Sequence, residues 1–141
     1  MKLHHIGCAV SDLNDAAKKF QCMGWKPCGD PMEDTGRNVH IQFFADAAGA
    51  LVELVAPLGF PTPVDGWLKK NGNSPYHLCY ESADLEGDIS RLKTEGFLLL
   101  ERSAPAPAIE GRRVAFLYSS ATGLLELVEE ASKHEGRNSI S

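Results

Sequence analysis

The sequence predicts an α+β fold made of two tandem βαβββ modules. Three observations predict it. The chain repeats itself, each half passes from strand to helix to strand periodicity in the same order, and a Pro- and Gly-rich stretch divides the halves. Setting His5 on His77 gives an offset of 72, which also carries Asp12 onto Asp84, Leu13 onto Leu85, Gly24 onto Gly96 and Trp25 onto Phe97. Leu51-Val52-Glu53-Leu54-Val55 meets Leu124-Leu125-Glu126-Leu127-Val128 at 73, after one residue of loop slippage. One such match is chance; an ordered series is a duplication.

The elements follow in order. The apolar run 6–10 reads as a strand. Asp12 then caps a helix whose apolar residues Leu13, Ala16, Ala17 and Phe20 fall at helical spacing. Gly24 stands where a helix C-terminus favours a left-handed residue. Strands are expected at 25–28, 38–44 and 50–56. The stretch 57–75, with Pro57, Gly59, Pro61, Pro63, Gly66, Gly72 and Pro75, reads as a linker with one helical turn near 67–70. The second half repeats the plan. A strand at 77–80 leads to a helix capped by Asp84 with Leu85, Ile89 and Leu92 on its apolar face, then Gly96 and strands at 97–101, 113–118 and 124–129. This gives a first module at 1–58, a linker at 59–74, a second module at 75–131 and a polar tail at 132–141 that is expected to fray, all in one structural domain.

With 141 residues, 43% hydrophobic and 23% charged, the composition is that of a globular chain. A net charge of −5 argues against general nucleic-acid binding, which needs a basic face. No apolar run is long enough to span a membrane, and the start lacks the apolar core and cleavage site of a signal peptide. Cys8, Cys22, Cys28 and Cys79 form neither a Cys-x-x-Cys pair nor a zinc-finger spacing. They are expected to be reduced thiols, which places the protein in the cytoplasm.

Four residues do not suit a core. Glu53 and Glu126 each interrupt a strand that is apolar on both faces, where a carboxylate is costly unless paired or bound to a cation. For one glutamate alone, an edge strand with the acid in water is the simpler reading; the duplication favours a shared role. His5 shares a strand face with Leu3, Gly7 and Ala9, and His77 with Cys79 and Glu81. Each histidine precedes its glutamate by 48 or 49 residues. Pseudo-symmetry would bring His5, Glu53, His77 and Glu126 together as a mixed N/O site for one divalent ion: Co, Ni, Zn, Mn or Fe(II). His4, on the opposite strand face, is not expected to be a ligand. His40 and His134 lack repeat partners and read as structural or surface residues.

From Leu3 to Glu130 the sequence resembles the vicinal oxygen chelate superfamily, which includes glyoxalases, epimerases, extradiol dioxygenases and bleomycin-binding proteins. The segments that carry the resemblance are His5-Ile6-Gly7-Cys8-Ala9-Val10, His77-Leu78-Cys79-Tyr80-Glu81, Gly111-Arg112-Arg113-Val114-Ala115-Phe116-Leu117 and Gly123-Leu124-Leu125-Glu126-Leu127-Val128. The second and third look most like the methylmalonyl-CoA epimerase branch. The resemblance implies a mixed sheet curled around a metal, with His5, Glu53, His77 and Glu126 as ligands. There are departures. Epimerases typically carry glutamine where Glu53 stands, whereas lactoylglutathione lyases carry glutamate. The epimerases' Glu-x-Gln-Gly-like loop survives here only as Glu33-Asp34-Thr35-Gly36, and their His-Pro-Lys is replaced by Tyr118-Ser119-Ser120.

The expected activity is that of a divalent-metal-dependent isomerase or lyase. It would abstract a proton next to a carbonyl through a metal-bound enolate or enediolate. Glu126 is the first candidate for ligand and base, Glu53 is its partner on the other face, and Glu33 or Asp34 is the second base if Glu53 is purely a ligand. Arg112 and Arg113 could pair with a substrate phosphate or carboxylate, although two solvated charges flanking a strand is the favoured reading. Phe43, Phe116 and Tyr118 line a pocket or pack a core. The substrate is expected to be a small molecule of the acyl-CoA or hemithioacetal class, and a homodimer is possible. The alternatives are a lactoylglutathione lyase-like glyoxalase, an Fe(II) dioxygenase, and a metal-free binding protein of the resistance type.

Overall fold

The computed structural model describes residues 1–131; the tail at 132–141, with His134, lies outside the described residues. Contacts divide the chain into two compact units, His4–Cys79 and a second made of Met1–Leu3 with the residues from Tyr80 onward.

In the first unit, β1 (Lys2–Ala9) leads to α1 (Leu13–Cys22). Asp12 is extended and its carboxylate accepts the Asp15 N–H at 2.9 Å, satisfying a donor that the first turn would otherwise leave unpaired. Gly24, at φ +95°, lets the chain leave the helix in a conformation that β-carbon-bearing residues avoid. β2 (Lys26–Pro27) and β3 (Met32–Asp34) both pair antiparallel with β4 (Val39–Ala45). β5 (Leu51–Pro57) runs antiparallel to β4 and parallel to β1, giving the order β2-β4-β5-β1. The apolar stripe of α1 closes over this sheet, with Leu13, Ala16, Ala17 and Phe20 against Phe44, Val52, Leu54 and Ala56.

The linker holds α2 (Asp65–Asn71), and β6 (Ser74–Ser82) follows it. In the second unit Asp84 caps α3 (Leu85–Thr94) by accepting the Gly87 N–H at 3.1 Å. Gly96 repeats the exit of Gly24, at φ +94°. β7 (Leu98–Pro105), a 3-10 turn at Pro107–Ile109, β8 (Arg113–Ser119) and β9 (Gly123–Glu129) complete the unit, with β8 paired to both neighbours. Leu85, Ile89 and Leu92 pack on Ala115, Leu117, Leu125 and Leu127. The α+β class and the repeated strand–helix–strand plan are those the sequence predicts.

Differences are local. β3 has no sequence signal: Met32-Glu33-Asp34 is three residues of weak strand propensity, and the pairing comes from the free edge of β4. β2 covers only Lys26–Pro27 of the expected 25–28, although the Cys28 N–H still donates to the Phe43 carbonyl at 2.8 Å. β7 runs past 101 through register shifts that the alternation of apolar residues does not reveal. The single turn expected near 67–70 is a helix of seven residues.

Candidate metal centre

β1, β5 and β6 deliver three of the four singled-out side chains to one place. His5, Glu53 and His77 are 1%, 5% and 4% exposed. His5 Nε2 lies 3.2 Å from His77 Nε2 and 3.5 Å from Glu53 Oε1, and His77 Nε2 lies 3.4 Å from the same oxygen. An ion bound at about 2.0–2.2 Å by each donor needs donors roughly 3.0–3.5 Å apart in octahedral or tetrahedral geometry. The three atoms form such a triangle. Two imidazoles and a carboxylate also suit a first-row divalent ion chemically, and a buried carboxylate needs a positive partner.

The backbone makes room for this meeting. β1 and β5 are parallel with Gly7 opposite Glu53, so the period of two puts His5, Gly7 and Glu53 on one face. A side chain on Gly7 would run into the His77 ring. Glycine is therefore what allows the His77 ring from β6 to lie against β1. Around the two histidines the packing is aromatic. Phe43, opposite Glu53 in the β4–β5 register, meets the His5 ring edge-on at 5.1 Å. Tyr76 meets His77 edge-on at 4.6 Å, and Trp67 lies 6.3 Å beyond Tyr76, held by its indole N–H to Ser74 at 2.8 Å. His4 Nδ1 is 2.7 Å from His5 Nδ1. Cys8 points to the other face, into the core under α1. Burial and the negative charge of Glu53 push its thiol up to about 11, so it stays protonated.

The remaining residues singled out from sequence are placed as follows. Glu126 lies in the second unit on β9, 4% exposed, with Phe116 opposite it across the β8–β9 register. Glu33 is exposed on β3, across from His40. Asp34 is buried and held by Arg37, whose guanidinium sits 2.9 Å away and whose backbone N–H donates at 3.1 Å. The Arg113 side chain pairs with Glu86 at 2.7 Å on the surface, and its N–H donates to Glu129. Arg112 lies 3.8 Å from Glu81 and donates to the Glu129 carbonyl. Phe116 is half-buried and Tyr118 exposed. Sequence reasoning missed Gly7, His4 and Tyr76. The position of each was visible, two after or directly before a histidine already singled out, but not the side-chain contacts.

Comparison with known proteins finds relatives by family profile, by sequence and by fold. Residues 4–116 match the profile of the Glyoxalase/Bleomycin resistance protein/Dioxygenase superfamily. The chain is 31% identical over 118 residues to an ethylmalonyl-CoA/methylmalonyl-CoA epimerase of Cereibacter sphaeroides, covering 83% of this chain and 87% of that one. It is 30% identical over 132 residues to the mitochondrial methylmalonyl-CoA epimerase of Bos taurus, covering 92% and 74%. Among solved structures, the methylmalonyl-CoA epimerase of Mycobacterium tuberculosis superimposes with a TM-score of 0.82 at 25% identity, covering 96% of this chain and 91% of that one.

Proposed function

Because the chain belongs to the Glyoxalase/Bleomycin resistance protein/Dioxygenase superfamily, we propose that it is a divalent-metal-dependent epimerase acting beside the carbonyl of an acyl-CoA thioester. Relatives at 30–31% identity support an epimerase-like activity. The observation that carries the metal reading is the buried triangle of His5 Nε2, His77 Nε2 and Glu53 Oε1. Glu126 is assigned as fourth ligand on the strength of the sequence repeat, which gives it the same apolar strand and the same opposing phenylalanine as Glu53.

An ion held by these residues would supply Lewis acidity to the substrate carbonyl as negative charge develops there. The chain supplies the rest. Glu126 takes the proton from the carbon between the thioester and its substituent, and the electron pair moves to the carbonyl oxygen. Glu53, its repeat partner, returns a proton to the opposite face, which inverts the centre; Glu33 is the substitute if Glu53 serves only as a ligand. Phe43 and Tyr76 keep the ligating rings dry and edge-locked, so that little reorganisation accompanies proton transfer.

The test is solvent exchange with methylmalonyl-CoA in deuterated water, on protein of known metal content. Glu126→Gln should lower exchange of the epimer that Glu126 deprotonates by about 10²–10⁴-fold; exchange of that epimer at the wild-type rate removes Glu126 as the base. Glu53→Gln should keep exchange of one epimer and slow inversion. Chelation should stop both, and added divalent ion restore them. The carboxylate at position 53 favours a second reading, a lactoylglutathione lyase-like reaction on a hemithioacetal. Turnover of the hemithioacetal without epimerisation would establish that alternative instead.

A further inference from the structure

The hydrogen bond between neighbouring histidines points to a role for His4 that rests on the metal-centre reading above. We propose that His4 is a positioning residue, whose Nδ1 accepts the Nδ1–H of His5 and thereby fixes His5 in the one tautomer able to bind a cation through Nε2.

Neutral imidazole carries one proton, and the nitrogen that binds a metal must be the bare one. To bind a cation beside His77 and Glu53, 3.2 and 3.5 Å away, His5 Nε2 must be the bare nitrogen, which leaves the proton on Nδ1. His4 Nδ1 sits 2.7 Å from that atom. Of the two ways to place a proton between them, donation by His5 leaves its Nε2 lone pair in the cluster. Donation by His4 would leave a neutral His5 with its proton on Nε2, inside the cluster, where it blocks a ligand bond. His5 is 1% exposed, which makes a protein acceptor more important than solvent for fixing this choice. The rings cross at 79° with centroids 5.0 Å apart, and Phe43 abuts both. Phe43 thus packs edge-on against both imidazoles. The second module has no imidazole at the matching position: residue 76, 72 after His4, is a tyrosine that meets His77 through its ring.

The experiment uses the full chain labelled with ¹⁵N-histidine, first without metal and then titrated with Co²⁺. In the wild type His5 should be protonated on Nδ1. His4→Phe keeps a ring and removes the acceptor; it should move the His5 proton to Nε2 and weaken Co²⁺ binding about 10–100-fold. His4→Asn presents an amide oxygen near the lost nitrogen and should restore both the tautomer and affinity close to wild type. A wild-type His5 protonated on Nε2 overturns the proposal, as does equal Co²⁺ affinity in all three proteins or equal weakness in both variants. Should the wild type bind no Co²⁺, the metal-centre reading fails, while the metal-free spectra still decide whether His4 sets the His5 tautomer.

Discussion

Two residues after His5 stands Gly7; two after His77 stands Cys79. The modules match closely elsewhere. Phe43 opposes Glu53 and Phe116 opposes Glu126, each second-module residue 73 further along, and Asp12 and Asp84 cap their helices through the same bond to the third residue on. At positions 7 and 79 they part, because the His77 ring lies over the Gly7 backbone while Cys79 is a fully buried side chain. A duplicated scaffold can thus repeat its strands and caps while the surroundings of its two matched histidines diverge. One histidine leans on bare backbone; the other is flanked by a second imidazole and a phenylalanine.

The comparison is broken most severely by giving both positions the same residue. Gly7→Ala places a methyl group where the His77 ring now sits, with β1 fixed by its pairing to β5, so the ring must leave. Divalent-ion affinity should fall by roughly 100-fold or more, the upper end of what loss of ligand positioning costs. Overpacking adds about 1–3 kcal/mol of instability. Cys79→Ala ends with the same side chain at the matching position and should keep the metal. Metal analysis after dialysis, on both variants, reads the difference; equal retention would mean that Gly7 holds no ligand in place.

A gentler cut tests the two cores. Leu54 and Leu127 are repeat partners, both fully buried beneath their module's helix. Truncation of either to alanine should cost about 2–5 kcal/mol in urea unfolding, and the two losses should agree within about 1 kcal/mol if the packing is as symmetric as the sequence. A much smaller loss for one would show that its core collapses around the gap.

What the sequence made legible follows from distance along the chain. Apolar period, caps and left-handed glycines act within a few residues, so α1, α3, β5 and β9 could be read directly, while β1, expected at 6–10, begins at Lys2. The duplication then extended local reading to a long-range one: it marked His5 and His77, 72 residues apart, before any contact was known. β3 could not be read, since its only warrant is the edge of β4. Nor could the clearance over Gly7 or the bond between His4 and His5, because both depend on side-chain direction, which alternation along a strand does not report. His4 shows the limit well. Alternation assigned it to the far face of β1, yet an imidazole beside an imidazole can turn its edge to its neighbour.

The smallest effect lies where the second module has something the first lacks. Ser82 donates its hydroxyl to Asp88 at 2.6 Å and accepts the Asp84 N–H at 3.2 Å, and Arg91 sits 3.1 Å from the other Asp88 oxygen. The matching residues of the first module, 72 earlier, are Val10, Asp12, Ala16 and Lys19, so only its Asp12 cap remains. The Ser82 hydroxyl holds the Asp88 carboxyl below the ordinary aspartate range, with Arg91 assisting and partial burial opposing. A carboxyl depressed on folding contributes stability that is present above its unfolded pKa and fades as pH falls through its folded value. Removing the hydroxyl should therefore raise the Asp88 pKa toward its unfolded value, so that less stability is lost on acidification and the loss is complete at a higher pH. Ser82→Ala followed by NMR titration of the Asp88 carboxyl should show an upward shift, whereas Val10→Ser in the first module, with alanine at 16, creates no such pair. If Asp88 titrates unchanged without the hydroxyl, the depression belongs to Arg91, and Arg91→Ala should then remove it.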